Sequence, residues 1–389
     1  MAQLRNSDTP PTANTCRGTV VVAGSQLFMK GRCRDRAFMR QFPGASILTD
    51  LVEEAERRGF LVATLDQFLD RRDWPRPALL VSDMGVGLEE CEGDAIPAIC
   101  WCLESPVIAN RFFHRLEKET KPFRHVFLWR GASGRASPRA SFHPISWPNE
   151  DRPLPEPRGP QSRRLIAMVT ANKRPFRLVW PPQSRRPWRL VRWFGSMIIN
   201  APATIWIRAV DHWMYHGLAK ARRNAIEWFG LNADFDLYGP GWESVRGGLN
   251  RKLARAVNRC YRGPLPAGPQ AKIEALQRYR FCLCIENTRF PGYATEKIFE
   301  PMFAGAIPVY LGAPDIAGQV PPDSFVDVRQ FPSWASLGKY LANLPEVEVQ
   351  RMRAAGADFL ASDAFESFRS GTQARLLVDA LDQVSHGAA

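Results

Sequence analysis

The sequence has no apolar run long enough to cross a bilayer as a helix. Its most apolar stretch, FGSMIINAPATIWI at 194–207, is too short and is interrupted by Pro202. The first residues, MAQLRNSDTPPTANTCRG, lack the apolar core of a signal peptide. We therefore expect a cytoplasmic protein that can contact the inner face of a membrane peripherally. A chain that begins after a membrane anchor is the alternative.

The sequence also lacks the cysteine spacing of a zinc site. None of its eight cysteines forms a C-x-x-C pair, and a metal site would need a second cluster. Cys100/Cys102 and Cys282/Cys284 lie two residues apart within apolar runs, where each pair would share one face of a strand. We interpret the cysteines as buried, reduced thiols.

Acidic residues are in the minority. There are 39 Asp and Glu against 52 Lys and Arg, and the net charge of +13 predicts an anionic partner. Segment 157–224 concentrates the imbalance, with 14 Lys or Arg, one acid and interleaved aromatic residues. A nucleic-acid groove, a membrane-surface patch and a solvated basic insert are the alternatives. We favour the membrane patch and no nucleic acid, because the segment contains no known nucleic-acid module.

Apolar runs typical of strands alternate with segments of helix length, which indicates parallel sheets covered on both faces. The chain is long enough for two such domains. Segment 148–164 has five prolines and is predicted to be a linker, and helices are predicted over 44–59, 218–230, from Thr295 to Ala304, and within 346–384. The predicted strands are 18–24, 61–65, 78–85, 95–106 and 125–129, followed by 165–171, 234–242, 279–287, 307–312 and 324–328.

The loop ENTRFPGYATEK, at 286–297, joins a buried-looking strand to a buried-looking helix. Parallel sheets bind ligands beyond the carboxyl ends of their strands, so the loop is predicted to lie at a ligand site. Gly292 would permit close backbone approach, and the Thr295 side chain would cap the helix. The helix N-terminus and Lys297 would attract phosphate. The alternative is that Glu296 and Lys297 belong to a solvated first turn and that Tyr293 is a packing residue.

Glu104 ends another apolar strand, in the stretch WCLESP at 101–106. A carboxylate there would point into the cleft between the domains, and partial burial would raise its pKa toward that of a general base. A loop or helix-capping acid is the alternative.

The stretch 279–331 resembles the C-terminal signature of the α-1,3/4-fucosyltransferases. The elements E-N, Y-x-T-E-K, A-G-x-x-P-V-Y-x-G-A-P and P-x-x-S-F-V-x-V occur in order. The resemblance implies the GT-B fold, two Rossmann-like domains facing across a cleft. It divides the chain into an acceptor-side domain (1–160, with the linker), a GDP-fucose-binding domain (161–345, with a basic aromatic insertion at about 174–217) and a C-terminal helical tail (346–389).

The resemblance also implies the reaction and the residues that carry it. L-fucose would move from GDP-β-L-fucose to a glycan hydroxyl in α-1,3 or α-1,4 linkage, with inversion, and Glu104 would be the general base. The implied sugar-donor residues are Arg222 (with Arg223 as rival), Asn287, Tyr293, Glu296 and Lys297. The acceptor would be an N-acetyllactosamine-type or lipopolysaccharide-like glycan.

Two departures from the family pattern are visible. The chain has Thr170-Ala171-Asn172-Lys173 where the family usually has S-N, and the insertion is longer than expected. The sequence Asp234-Phe235-Asp236 matches the Asp-x-Asp pattern of a metal site. It begins a predicted strand and so lies away from the edge of the sheet where ligands bind. We therefore expect neither a cofactor nor an obligatory metal. Another nucleotide sugar on the same fold, or a non-catalytic basic protein that binds anionic membrane or nucleic acid, is the alternative function.

Overall fold

In a computed structural model of the chain, residues 16–24, 29–71, 73–91, 96–153, 164–172, 218–246 and 250–386 are described. Most of the predicted linker and the whole of the basic aromatic insertion at 174–217 lie outside these ranges. Within them the chain forms two α/β domains, each built on a six-stranded sheet in which all strand pairs are parallel.

The first sheet has the order β2-β1-β3-β4-β5-β6. Its strands are buried on both faces except at the β6 edge, as expected for a parallel sheet between layers of helices. The strands are β1 (Gly18–Ala23), β2 (Phe60–Thr64), β3 (Ala78–Asp83), β4 (Ala98–Trp101), β5 (His125–Leu128) and β6 (Ser141–Pro144). The helices are α1 (Arg36–Met39), α2 (Ser46–Arg57), α3 (Leu65–Asp70), α4 (Leu88–Cys91), α5 (Asn110–His114) and α6 (Leu116–Thr120).

The second sheet has the order β12-β11-β10-β7-β8-β9, with an apolar cluster on each face. Its strands are β7 (Arg164–Val169), β8 (Phe235–Tyr238), β9 (Tyr261–Gly263), β10 (Tyr279–Ile285), β11 (Ile307–Leu311) and β12 (Val326–Asp327). The helices are α7 (Ala219–Asn232), α8 (Arg251–Cys260), α9 (Pro269–Leu276), α10 (Glu296–Phe303), α11 (Trp334–Asn343), α12 (Glu346–Ala361) and α13 (Ser370–His386).

The predicted helical tail does not form one unit. Helix α12 packs in the second domain, whereas Leu377 and Leu381 of α13 belong to the core of the first. The returning chain runs beside the outgoing one, since the Asn149 amide donates to the Phe368 carbonyl at 2.7 Å and the Ser370 amide donates to the Asn149 carbonyl at 2.8 Å. The two crossings between the domains are therefore hydrogen-bonded to each other.

The ten predicted strands are confirmed, but the prediction missed two short edge strands, β6 and β9. It also made three strands too long: the predictions 95–106, 234–242 and 324–328 correspond to Ala98–Trp101, Phe235–Tyr238 and Val326–Asp327. All eight cysteines are free and seven are buried, as interpreted from their apolar surroundings. In the described part of the chain no helix is long and apolar enough to span a membrane.

Candidate active site

A cavity of about 610 Å³ lies between the two domains, at the carboxyl ends of the strands of both sheets. All six residues singled out from the sequence line it. The first domain contributes Glu104, and the second contributes Arg222, Asn287, Tyr293, Glu296 and Lys297. The rival Arg223 is exposed on α7 and does not line the cavity.

Lys297, in the first turn of α10, lies between the carboxylates of Glu286 and Glu296. Its Nζ lies 3.0 Å from Glu286 Oε2 and 3.2 Å from Glu296 Oε1. Burial opposes its charge, but the two carboxylates outweigh burial and hold the pKa of Lys297 above its ordinary value. The lysine therefore stays cationic beside the cavity.

The predicted cap of this helix is wrong in its detail. Thr295 is the N-cap residue, but its side chain makes no bond to a first-turn amide. Its backbone amide and its hydroxyl both donate to Glu286 Oε1, each at 2.8 Å. Glu286 is fully buried at the end of β10, so its carboxylate takes the place of a cap and orients Thr295 and Lys297 together.

Arg222 reaches the cavity from α7 and is 9% exposed. Its Nη2 donates to the carbonyls of Ile285 and Glu286, at 3.2 and 2.9 Å, and to Asn287 Oδ1 at 3.2 Å. Its buried Nε has no partner among the described residues. Burial lowers the pKa of the guanidinium from its ordinary value, but Arg remains charged at neutral pH. The Arg222 guanidinium is therefore held in place through Nη2, and its Nε–H can donate to a ligand.

Tyr293 joins the two domains beneath the cavity. Its hydroxyl accepts from Asn287 Nδ2 at 3.3 Å, and its ring lies edge-on against Trp129 of the first domain. Gly292 precedes it with φ +81°, and a Cβ there would come within 2.9 Å of the Arg130 amide. The close approach predicted for Gly292 is thus made to the other domain.

Glu104 differs from the sequence expectation in its surroundings. Its side chain is exposed to the cavity and to solvent, so the predicted partial burial is not found. A neighbouring carboxyl that the sequence analysis did not select, Asp83, is partly buried instead. Burial, with a contribution from Glu104, raises the pKa of Asp83 to about 7.

Two more groups that line the cavity were missed. Lys272 of α9 lies 3.3 Å from Glu300 Oε2, and burial raises the pKa of Glu300 to about 7 although Lys272 opposes the shift. Burial also opposes the ionisation of Glu296, but Lys297 and Lys272 together hold its pKa below the ordinary value. No signal in the sequence pointed to Glu300, because an acid inside a helix is common.

Asp234 and Asp236 are engaged far from the cavity lining. Both pair with Arg164, and Asp236 also pairs with Arg262 and accepts from the Tyr279 hydroxyl at 2.6 Å. In the described ranges, no group of three His, Cys, Asp or Glu side chains is placed to hold a metal ion. That transfer needs no metal stays a prediction.

Residues 216–353 match the sequence model of glycosyltransferase family 10 (fucosyltransferase), C-terminal part. This region of the chain is therefore similar to the C-terminal part of that family. The chain is 42% identical over 73 residues to alpha-(1,3)-fucosyltransferase FucT of Helicobacter pylori, covering 19% of this chain and 15% of that protein. It is 40% identical over 70 residues to an alpha-(1,4)-fucosyltransferase of Arabidopsis thaliana, covering 18% of each. The alignments therefore span less than a fifth of these relatives.

The fold of the chain has counterparts among solved structures. HepE from Anabaena, solved with UDP and glucose, superposes with a TM-score of 0.54 at 11% identity, over 94% of this chain and all of that one. At that identity the likeness shows the fold alone. The two-domain GT-B architecture predicted from the sequence is confirmed.

Proposed function

We propose that this chain transfers L-fucose from GDP-β-L-fucose to a hydroxyl of a glycan acceptor, in α-1,3 or α-1,4 linkage and with inversion. One observation carries the proposal: a single cavity brings the cations Arg222 and Lys297 of the family 10 domain opposite the carboxylate of Glu104 in the other domain. The choice of fucose and of linkage positions 3 and 4 rests on the similar proteins, an alpha-(1,3)-fucosyltransferase and an alpha-(1,4)-fucosyltransferase.

The second domain would hold the diphosphate. Arg222 has a free Nε for an anionic oxygen, and Lys297 supplies a point charge. Burial raises the pKa of Glu286, although the neighbouring Lys297 opposes the shift. As the bond between the fucose anomeric carbon and the phosphate oxygen breaks, both cations would stabilise the charge that gathers on GDP.

The first domain would activate the acceptor. Glu104 takes the proton of the acceptor hydroxyl while that oxygen forms its bond to the anomeric carbon on the face opposite the departing GDP. A single displacement of this kind inverts the β-fucoside to an α-fucoside. The exposed position of Glu104 suits a base that must meet an incoming sugar, since its carboxylate is open to the cavity.

The identity of the sugar donor is tested by turnover with GDP-fucose, GDP-mannose and UDP-sugars in the presence of a panel of neutral glycans, read by mass spectrometry. We expect a mass gain of one deoxyhexose with GDP-fucose alone, and NMR of the product should give an α-fucoside. Preferred use of GDP-mannose or a UDP-sugar would replace the proposal with another GT-B transferase, and a β-fucoside would contradict inversion.

Peripheral contact with an anionic membrane remains a second proposal, and the described support is helix α8. Its outer face exposes Arg251, Lys252, Arg255 and Arg259 without an acid, while its other face is buried. Each such cation contributes about 1 kcal/mol near an anionic bilayer. Deleting the core of the 174–217 insertion tests the alternative of a non-catalytic protein that binds anionic membrane or nucleic acid. A transferase keeps hydrolysis of GDP-fucose after the deletion, whereas a non-catalytic protein loses its binding to membrane or nucleic acid.

A further inference from the structure

Asp83 and Glu104 enter the cavity from neighbouring strands. Asp83 ends β3, Glu104 follows β4 by three residues, and Asp83 pairs in register with Trp101. Because β3 and β4 are parallel, both carboxyls lie at the same edge of the sheet, and both line the cavity.

The turn after β3 fixes the place of Asp83. The Asp83 carbonyl accepts from the Val86 amide at 3.1 Å, and the Ser82 hydroxyl donates to the Val86 carbonyl at 2.8 Å. Met84 has φ +53°, a conformation that residues other than glycine rarely adopt. Such strained backbone is commonly retained where a side chain has to be held in position.

Among the described residues, none that acts on the Asp83 carboxyl is a cation. Among the described first-domain residues that line the cavity there is no Lys, Arg or His, and the described residues make no hydrogen bond or ion pair to the Asp83 carboxyl. The titratable groups that act on it or feel it are Glu104 and the thiols of Cys100 and Cys102. Partial burial and the nearby Glu104 both disfavour the ionised form of Asp83.

We infer that Asp83 is a positioning residue for Glu104: its carboxyl, at the same edge of the sheet as Glu104 and in the same cavity, takes up a proton when a nucleotide binds and so keeps a second negative charge out of the site. Burial, with a contribution from Glu104, raises the pKa of Asp83 to about 7, so at neutral pH only part of the molecules hold this proton and more can be taken up. The inference rests on the proposed function, because it gives Asp83 a part in the same site.

Binding of GDP brings more negative charge into the cavity that Asp83 lines. The bound nucleotide therefore favours the neutral form of Asp83 further, so binding just above pH 7 must be accompanied by proton uptake. For a pKa that rises by about one unit from 7, the uptake at pH 7.5 is about half a proton. Asp83→Asn, which is neutral at every pH and has nearly the same shape, cannot take part.

Isothermal titration calorimetry of GDP at pH 7.5, in buffers of different ionisation enthalpy, measures the protons taken up by the full chain. We expect Asp83→Asn to take up about half a proton less than the wild type, and the exposed control Asp70→Asn to match the wild type. Glu300 titrates in the same range, so the difference between the two proteins is the readout.

Glu104→Gln gives a second test if Asp83→Asn folds poorly. It removes the neighbouring negative charge, so Asp83 ionises more readily and the uptake changes from that of the wild type. GDP that binds with the same uptake in wild type, Asp83→Asn and Glu104→Gln overturns the role of Asp83. GDP that does not bind at all contradicts the proposed function itself.

The pH dependence of kcat/KM for GDP-fucose separates positioning from a merely structural role. In the wild type it should fall at least about threefold between pH 6.5 and 8, as a second negative charge forms and repels the sugar donor. Asp83→Glu should retain this fall and Asp83→Asn should lose part of it. A uniform loss of activity with an unchanged pH profile overturns the inference.

Discussion

The indole ring of Trp129 lies edge-on against the phenol ring of Tyr293, with 4.9 Å between the ring centroids. The same indole donates its Nε1 hydrogen to the Glu104 carbonyl at 3.1 Å. One fully buried side chain thus touches the loop of the proposed base in the first domain and the sugar-donor loop of the second. In the proposed mechanism, this contact would set the distance between the Glu104 carboxylate and the anomeric carbon of the sugar donor.

Trp129→Phe keeps an aromatic ring against Tyr293 but removes the hydrogen bond to Glu104. We expect kcat to fall about fivefold to tenfold, because a hydrogen bond of about 1 kcal/mol no longer fixes the base loop, while the Kd for GDP stays within about twofold. Steady-state kinetics and calorimetry measure the two quantities. The control is Trp74→Phe, which removes a similar bond to the Gln67 carbonyl outside the cavity. Equal effects of the two changes would refute a specific role.

Arg222 and Arg223 are adjacent in sequence but differ in what they can reach. Only Arg222 lines the cavity with a free Nε, so Arg222→Lys should weaken GDP binding at least about tenfold, since lysine cannot replace a planar, forked donor. Arg223→Lys should leave the Kd for GDP unchanged. Fluorescence or calorimetric titration measures both, and a reversed order would move the diphosphate contact to Arg223.

Lys297 and Glu286 form a buried pair whose two functions can be separated. Lys297→Met should lower both the affinity for GDP and the free energy of unfolding, the latter by about 2 to 3 kcal/mol, because Glu286 loses its cation. In the double variant Lys297→Met with Glu286→Gln, stability should return while GDP affinity stays low. Thermal melts with and without GDP measure both, and recovery of affinity in the double variant would show that Lys297 serves only to neutralise Glu286.

Glu300 should make the protein less stable as pH rises. Its pKa is 4.5 in the unfolded chain and about 7 when folded, so between these values the folded state holds a proton that the unfolded state releases. Stability therefore falls with rising pH across this window, by up to about 3 kcal/mol from this group. Glu300→Gln should flatten the fall, as measured by urea unfolding at pH 5 and 8, and the exposed control Glu274→Gln should not. An unchanged slope in Glu300→Gln would contradict the assignment.

The fold was largely predictable because most strands are continuous apolar runs, a pattern that parallel sheets impose on sequence. Strand β10, YRFCLCI, is an example, with only Arg280 less than fully buried. Strand β6 was not predictable, since its four residues SFHP lie at an edge and are partly exposed. The return of α13 to the first domain was also hidden, because its amphipathic pattern does not say which domain covers it.

The site residues that belong to a short sequence motif could be predicted. Those whose role depends only on their burial in the folded protein could not. The loop from Asn287 to Lys297 carries its residues in one stretch, and the structure brings them together. Asp83 and Trp129 gave no signal, because an acid or an aromatic residue at a strand end is common. The role expected of Thr295 was wrong because buried Glu286 competes for its hydroxyl.

The most direct test of the account is a comparison of Glu104→Gln with Glu117→Gln, an exposed acid on α6 outside the cavity. Rates of fucose transfer and the Kd for GDP are measured on both. The account predicts that Glu104→Gln lowers kcat by at least about 100-fold with GDP affinity within about twofold of wild type, and that Glu117→Gln changes neither. Full activity of Glu104→Gln, or a loss of GDP binding as large as the loss of rate, would contradict it.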